Sequence, residues 1–235
     1  MRPLCLFLIV LSLSPGNIKA QVSTWEQPDT WIISNVTRTT SENVKGIPFL
    51  FEDYLKGSIT LKNGRTIENI KINLKNQDNE MVVAKKYKGF ESLYDVKEKD
   101  IVSFEITDAT GQRHFIQKPN SPEFAALQQK GFYELLDQDS LLLKYAYKQF
   151  KKAEKAGGYN LGASMDEHVL VTEYYLRLKA GEAYQNIKLS RKSIGSVLGP
   201  ELSSQAKTLV KKNRWKWQNE EHVRLLIQAI SNPGH

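Results

Sequence analysis

Thiol chemistry is almost missing from this chain of 235 residues: Cys5 is the only cysteine, and it lies inside an N-terminal apolar stretch. No internal disulfide can form, so the fold must be held by its core. Histidine is nearly as scarce, with His114, His168, His222 and His235. None stands in an HExxH pattern, and no GxSxG elbow, nucleophile–Lys pair or glycine-rich phosphate loop occurs anywhere. The sequence therefore announces no catalytic residues, no metal and no cofactor. Long apolar runs are absent after the first twenty residues, which leaves no segment approaching the roughly 20 residues of a transmembrane helix.

What is present begins with an address. In "MRPLCLFLIVLSLSPGNIKA", Arg2 forms a short positive region, Leu4 to Leu13 are apolar, and Pro15-Gly16 breaks the run. Ile18 and Ala20 occupy the −3 and −1 positions of a cleavage site, so residues 1–20 read as a signal peptide and Gln21 as the mature start. The expected location is outside the cytoplasm, periplasmic or secreted. Cleavage removes Cys5, Arg2 and Lys19, leaving 31 basic and 26 acidic residues. That mild excess does not make a nucleic-acid binder.

Residues 21–45 form a polar lead-in with one short strand expected around "TWIISNV" and a sequon at Asn35-Val36-Thr37. Residues 46–118 then carry a β pattern: "GSITL", "TIENIKINL", "EMVVAKK", "SLYDV", "IVSFEIT" and "RHFIQ". Turn formers at Asn63-Gly64, Gln77-Asp78-Asn79, Lys88-Gly89 and Thr110-Gly111 separate them. This predicts an antiparallel meander, with near-closure into a small barrel left open. Residues 119–190 add a helical turn near Pro122 to Gln129 and two hairpins. "GFYELL" pairs with "SLLLKYAYKQF" across Asp137-Gln138-Asp139, and "EHVLVTEYYLRLK" pairs with "AYQNIKLS". Residues 191–235 are helical, with Ser190 and Asn219 as N-caps and Val223, Leu226, Ile227 and Ile230 as a buried stripe. The fold class expected is α+β: a bulged antiparallel β-meander, then β-hairpins, then a C-terminal helical segment.

Two twelve-residue stretches, "LKNGRTIENIKI" from Leu61 and "LKAGEAYQNIKL" from Leu178, share six identical positions. Turn chemistry explains the match better than duplication. A three-residue loop ending at Gly64 in the left-handed region would set Ile59 opposite Ile67. The same loop at Gly181 would set Leu176 opposite Tyr184. Ile67 and Ile70 share one face only if a bulge lies at Glu68-Asn69, and Tyr184 and Ile187 only if one lies at Gln185-Asn186.

The runs "GIPFLFEDYLKGSITLKNGRTIENIKINL" and "GFYELL", with an ending built on "YYL", "LSRKSI" and "VKKNR", resemble uncharacterised secreted proteins of Bacteroidota. The shared motifs are Gly57, the Asn-Gly turn and the terminal helix pair. The resemblance covers most of the mature chain. It implies export and brings no activity and no catalytic residues.

Among local clusters, Asp166-Glu167-His168 could offer metal ligands, but a charged loop entering a strand explains it more simply. Asp95 to Asp100 ("DVKEKD") lacks calcium-loop spacing and reads as a solvated turn. The densest single-sign run is "KKNRWKW": Lys211, Lys212, Arg214, Trp215, Lys216 and Trp217. It could meet an anionic lipid or glycan, or simply end one helix and pack two indoles against another. The leading expectation is an exported, non-catalytic binding module with a protein or envelope component as partner. An envelope enzyme whose site assembles only in three dimensions, or a carrier for a small apolar ligand, are the alternatives.

Overall fold

The computed structural model describes residues 31–33, 44–76, 80–87, 90–127, 130–137, 139, 141–153 and 165–231. The signal-peptide reading of residues 1–20 and most of the lead-in with its sequon lie outside them. So do the turns at residues 77–79 and 88–89, Gln128-Gln129, Gln138, Pro233-Gly234 and His235.

The chain is an α+β protein dominated by one open, antiparallel-rich sheet of twelve strands. They are β1 (Trp31–Ile33), β2 (Val44–Lys45), β3 (Leu55–Leu61), β4 (Thr66–Lys75), β5 (Glu80–Tyr87), β6 (Phe90–Val96), β7 (Ile101–Asp108), β8 (Gly111–Gln117), β9 (Phe132–Leu135), β10 (Leu142–Lys151), β11 (Asp166–Leu176) and β12 (Gln185–Ile187). In space the order is β1-β6-β5-β4-β3-β7-β8-β9-β10-β11-β12, with β2 parallel to β11. Two helices follow, α1 (Arg191–Asn213) and α2 (Glu220–Ser231). Among the described residues no helix is long and apolar enough to cross a membrane.

The sheet must curl, and chain length shows it. Four strand spacings separate β6 from β7, about 19 Å in a flat sheet at about 4.8 Å each. Only residues 97–100 join them, and Glu98–Asp100 form a 3-10 turn rising about 2 Å per residue. The curl is filled by Ile59, Ile72, Met81, Ile101, Phe104 and Phe115, all buried, with Phe104 stacked on Phe115 at 4.5 Å. That packing leaves the sheet's interior to its own side chains. The turn is less solvated than its charges suggest. Glu98 Oε1 accepts the Gly131 N–H at 2.8 Å and so fastens the link to the start of β9.

The bulge expected in β4 is present. Ile59 pairs with Ile67 and Gly57 with Ile70, so Glu68 and Asn69 together oppose Ser58. Asn69 takes φ 55°, a left-handed conformation its short polar side chain tolerates. Ile67 and Ile70 are both buried as a result. The displaced carbonyls of Glu68 and Asn69 each accept from Lys85 Nζ at 3.0 Å. The Lys62-Asn63-Gly64 loop closes with the Gly64 N–H on the Leu61 carbonyl, and Gly64 has φ 79°.

The second hairpin departs from this plan. Gly181 does have φ 85°, but Leu176 pairs with Gln185, one residue beyond Tyr184, and β12 runs through Gln185-Asn186 without a bulge. The turn also slips by one, its hydrogen bond running from the Glu182 N–H to the Lys179 carbonyl. Tertiary contacts explain the change. The Tyr184 N–H donates to the Glu123 carbonyl at 3.0 Å, its ring packs on Phe124, and the buried Arg177 guanidinium lies 4.6 Å over it. Tyr184 is thereby held outside the ladder. The Pro122–Gln129 helical turn is likewise shorter than expected, a 3-10 turn at Pro122–Phe124.

The outer face of the meander is covered at β4 and β5. Residues 46–54 lie across the outside of β4 and β5, where Phe49 and Tyr54 pack on Val82 and Ala84. The buried Asn73 holds them there, accepting from the Phe51 N–H and donating to the Phe51 and Asp53 carbonyls. Beyond β8, the tyrosines at 133, 145, 147, 175 and 184 line one face of the sheet. The other face carries Leu142 and Leu176 beneath the helices.

Candidate anion-binding surface

Helix α1 begins where Ser190 accepts the Ser193 N–H at 3.3 Å, while the Ser193 hydroxyl accepts the Lys188 N–H in return. It is broken at Gly199, whose φ 73° and ψ 176° are not helical, and Pro200 starts the second half. The two halves approach so closely at Gly195 that a Cβ there would sit 2.9 Å from Ser203 Oγ. Ile194, Val197, Leu198 and Ala206 face the core, and the polar side turns outward.

The second half ends with two interlocked hydrogen bonds, Trp215 N–H to the Val210 carbonyl and Arg214 N–H to the Lys211 carbonyl. That ending needs a left-handed residue, and Arg214 supplies it with φ 57° and ψ 30°. Glycine would adopt the conformation without steric cost. Trp215 and Trp217 are half-buried against the helical core, so the indoles serve the link between α1 and α2. The Asn219 carboxamide caps α2 at the His222 N–H, and His222 Nδ1 accepts the Lys216 N–H at 3.0 Å. The cations Lys211, Lys212, Arg214 and Lys216 stay exposed around this link.

The structure adds cations that the sequence reading passed over. Arg191, Lys192 and Lys207, with Gly195 and Ser203, line a notch of about 370 Å³ between the two halves of α1. Lys207 and Lys211 are one helical turn apart, so the notch runs into the C-terminal run. From Lys188 to Trp217 there are eight basic residues and one carboxylate, Glu201, and the rest of the chain balances at 25 basic against 25 acidic. All eight are exposed, and none forms an ion pair among the described residues. Their dispersal over thirty positions hid them, although the i, i+4 spacing of Lys207 and Lys211 is a readable signal.

No known family, curated protein or solved structure matches the chain.

A second charged cluster serves as contrast. Between the curled sheet and α2 lies a cleft of about 730 Å³. There Arg113 forms a two-pronged pair with Glu134 at 2.6 and 2.7 Å and reaches Asp108 at 3.1 Å. Its guanidinium stands 5.2 Å from the Phe51 ring and 5.3 Å from the Phe115 ring. Lys144 bonds Glu220 at 2.8 Å, and the Tyr174 hydroxyl donates to the same carboxylate at 2.6 Å. The Thr110 hydroxyl, aided by the Thr110 N–H and Arg113, holds the Asp108 carboxyl below the usual range, while burial opposes it. Burial, then Glu220, pushes the Tyr174 hydroxyl up. The named charges of this cluster answer one another, which suits a clamp between sheet and helix.

The histidines are placed apart. His114 Nδ1 lies 3.0 Å from Glu105, and the His168 ring packs tilted against Phe150 at 5.2 Å. Burial, then Lys148, pulls the His168 imidazole below its ordinary value. Asp166 accepts the Ala153 N–H at 2.7 Å, and Glu167 points to the opposite face of β11 by strand alternation.

Arg214 allows a clean test of the helix ending. We expect Arg214→Gly to raise stability by about 0.5–1 kcal/mol, because the strained left-handed residue is replaced by one that adopts it freely. Thermal unfolding would check this; a loss of stability would mean the arginine side chain has a structural contact that matters more than its backbone.

Proposed function

We propose that the protein is an exported binding module of the cell envelope that docks on an anionic lipid surface through the cationic side of α1 and the α1–α2 link. One observation carries the reading: the whole excess charge of the chain is gathered on residues 188–217, whose cations are exposed and form no ion pair among the described residues. Elsewhere acids and bases balance, as in the Arg113–Glu134–Lys144–Glu220 cleft. A cation near an anionic surface contributes about 1 kcal/mol, so such a set holds a protein on a membrane without any apolar insertion. Arg214 in a conformation better suited to glycine fits a residue kept for its charge. The pattern of residues 1–20 supports export.

The test is co-sedimentation of the chain from Gln21 onward with phosphatidylcholine vesicles containing or lacking phosphatidylglycerol. We expect binding only to the anionic vesicles, weakening as salt shortens the screening length from about 10 Å at 0.1 M to about 3 Å at 1 M. The triple variant Lys211→Glu, Lys212→Glu, Arg214→Glu should bind roughly a hundredfold more weakly with an unchanged circular dichroism spectrum. Binding indifferent to both salt and charge reversal would overturn the reading. Equal binding to neutral vesicles would do so as well.

A further inference from the structure

The notch between the halves of α1 sets a more specific problem. Arg191 and Lys192 occupy the first turn of the helix, and no acidic residue does. The backbone N–H groups there already present positive charge, so two cations at that end oppose the helix dipole. Lys207 lines the same concavity from the second half, and none of its lining residues is a carboxylate. Three like charges gathered around one notch repel one another unless something negative sits among them.

We propose that this notch is a binding site for a phosphomonoester group. The composition suits the chemistry. Arg191 offers a planar fork that matches phosphate oxygens, Lys192 and Lys207 offer point charges, and Ser203 offers a hydroxyl donor. Gly195 leaves the floor bare, and a side chain there would run into Ser203. A phosphomonoester carries about −1.5 to −2 at neutral pH, so it offsets this cluster better than the single charge of a carboxylate or phosphodiester. The notch is open to solvent, so a phosphate group reaches it without displacing any element of the fold. The proposal rests on the docking reading for the cationic surface around the notch, and it adds a selectivity that surface charge alone does not give.

The experiment has two arms, because the group could belong to a lipid or to a small soluble molecule. In the first, vesicles of phosphatidylcholine carry either phosphatidic acid, a monoester, or enough phosphatidylglycerol, a diester, to match its surface charge. In the second, glycerol 3-phosphate is titrated while amide resonances of Gly195 and Ser203 are followed. We expect several-fold tighter binding to the phosphatidic-acid vesicles and saturable shifts at both amides. Arg191→Glu with Lys207→Gln should abolish the preference and the shifts. It should still leave salt-sensitive binding through Lys211, Lys212 and Arg214. A glutamate at the helix start suits the dipole, so an undiminished melting temperature separates lost binding from lost folding. Saturable shifts without a vesicle preference would assign the site to a soluble phosphomonoester. Equal binding to the charge-matched vesicles with no shift at Gly195 would overturn the proposal while the docking surface stands. Failure to bind any anionic vesicle would remove the docking reading, and the titration would then decide the notch alone.

Discussion

Replacing Gly57 with alanine is expected to destabilise the protein by about 3 kcal/mol or more. Gly57 lies in β3 between Ile70 of β4 and Ile106 of β7, and a Cβ there would stand 2.0 Å from the Glu105 carbonyl oxygen. That neighbour is backbone, locked in the β3–β7 ladder, so no side-chain rotation relieves the overlap. The close approach arises from the curl: the bulge at Glu68-Asn69 bends β4 against β3 at the position where β7 presses from the other side. Denaturant unfolding should show a midpoint lowered with an unchanged slope. A cost under about 1 kcal/mol would mean that β3 and β7 can part freely, and the account of a tightly wound sheet would fail.

Glu134→Ala should be comparably damaging, by about 3–5 kcal/mol, for an electrostatic reason. Glu134 is 6% exposed and supplies the two-pronged partner of Arg113, which Asp108 meets through one nitrogen only. Its loss leaves the guanidinium beside two phenylalanine rings with only the single contact to Asp108, and leaves Lys144 with Glu220 alone. Charge is the cause, so Glu134→Leu combined with Arg113→Met should recover most of the loss in chemical denaturation. If the double variant is no better than Glu134→Ala, the cluster matters through shape instead. The same cleft gives acid sensitivity a sign. The folded Asp108 carboxyl titrates below its unfolded value, so it contributes stability that is present above about pH 4 and lost as pH falls through the folded value.

Local chemistry was legible. Asn63-Gly64 announced its loop, the three-residue interval between Ile67 and Ile70 announced the bulge, and Ser190 and Asn219 announced two helix starts. Each depends on residues adjacent in sequence, where steric and hydrogen-bond rules act directly. The twin motif at Gly181 shows the limit. It has the same glycine and the same Asn-Ile-Lys, yet its register moved because the Tyr184 N–H found the Glu123 carbonyl, sixty-one residues away in sequence.

The candidate surface divides along the same line. Sequence alone determined that the chain has an apolar run over residues 4–13, a β-rich pattern with no cysteine after Cys5, and a basic run at Lys211, Lys212, Arg214 and Lys216. Tertiary structure alone decided that Trp215 and Trp217 belong to the helical core, and that Arg191 and Lys192 meet Lys207 across the Gly199 break. It also decided that the sheet stays open while curling tightly enough to fill itself. The reason is physical: a cap or turn is stabilised by neighbours in the chain, whereas a convergence of charges, a curl or a shifted register depends on which distant groups packing brings within a few ångströms.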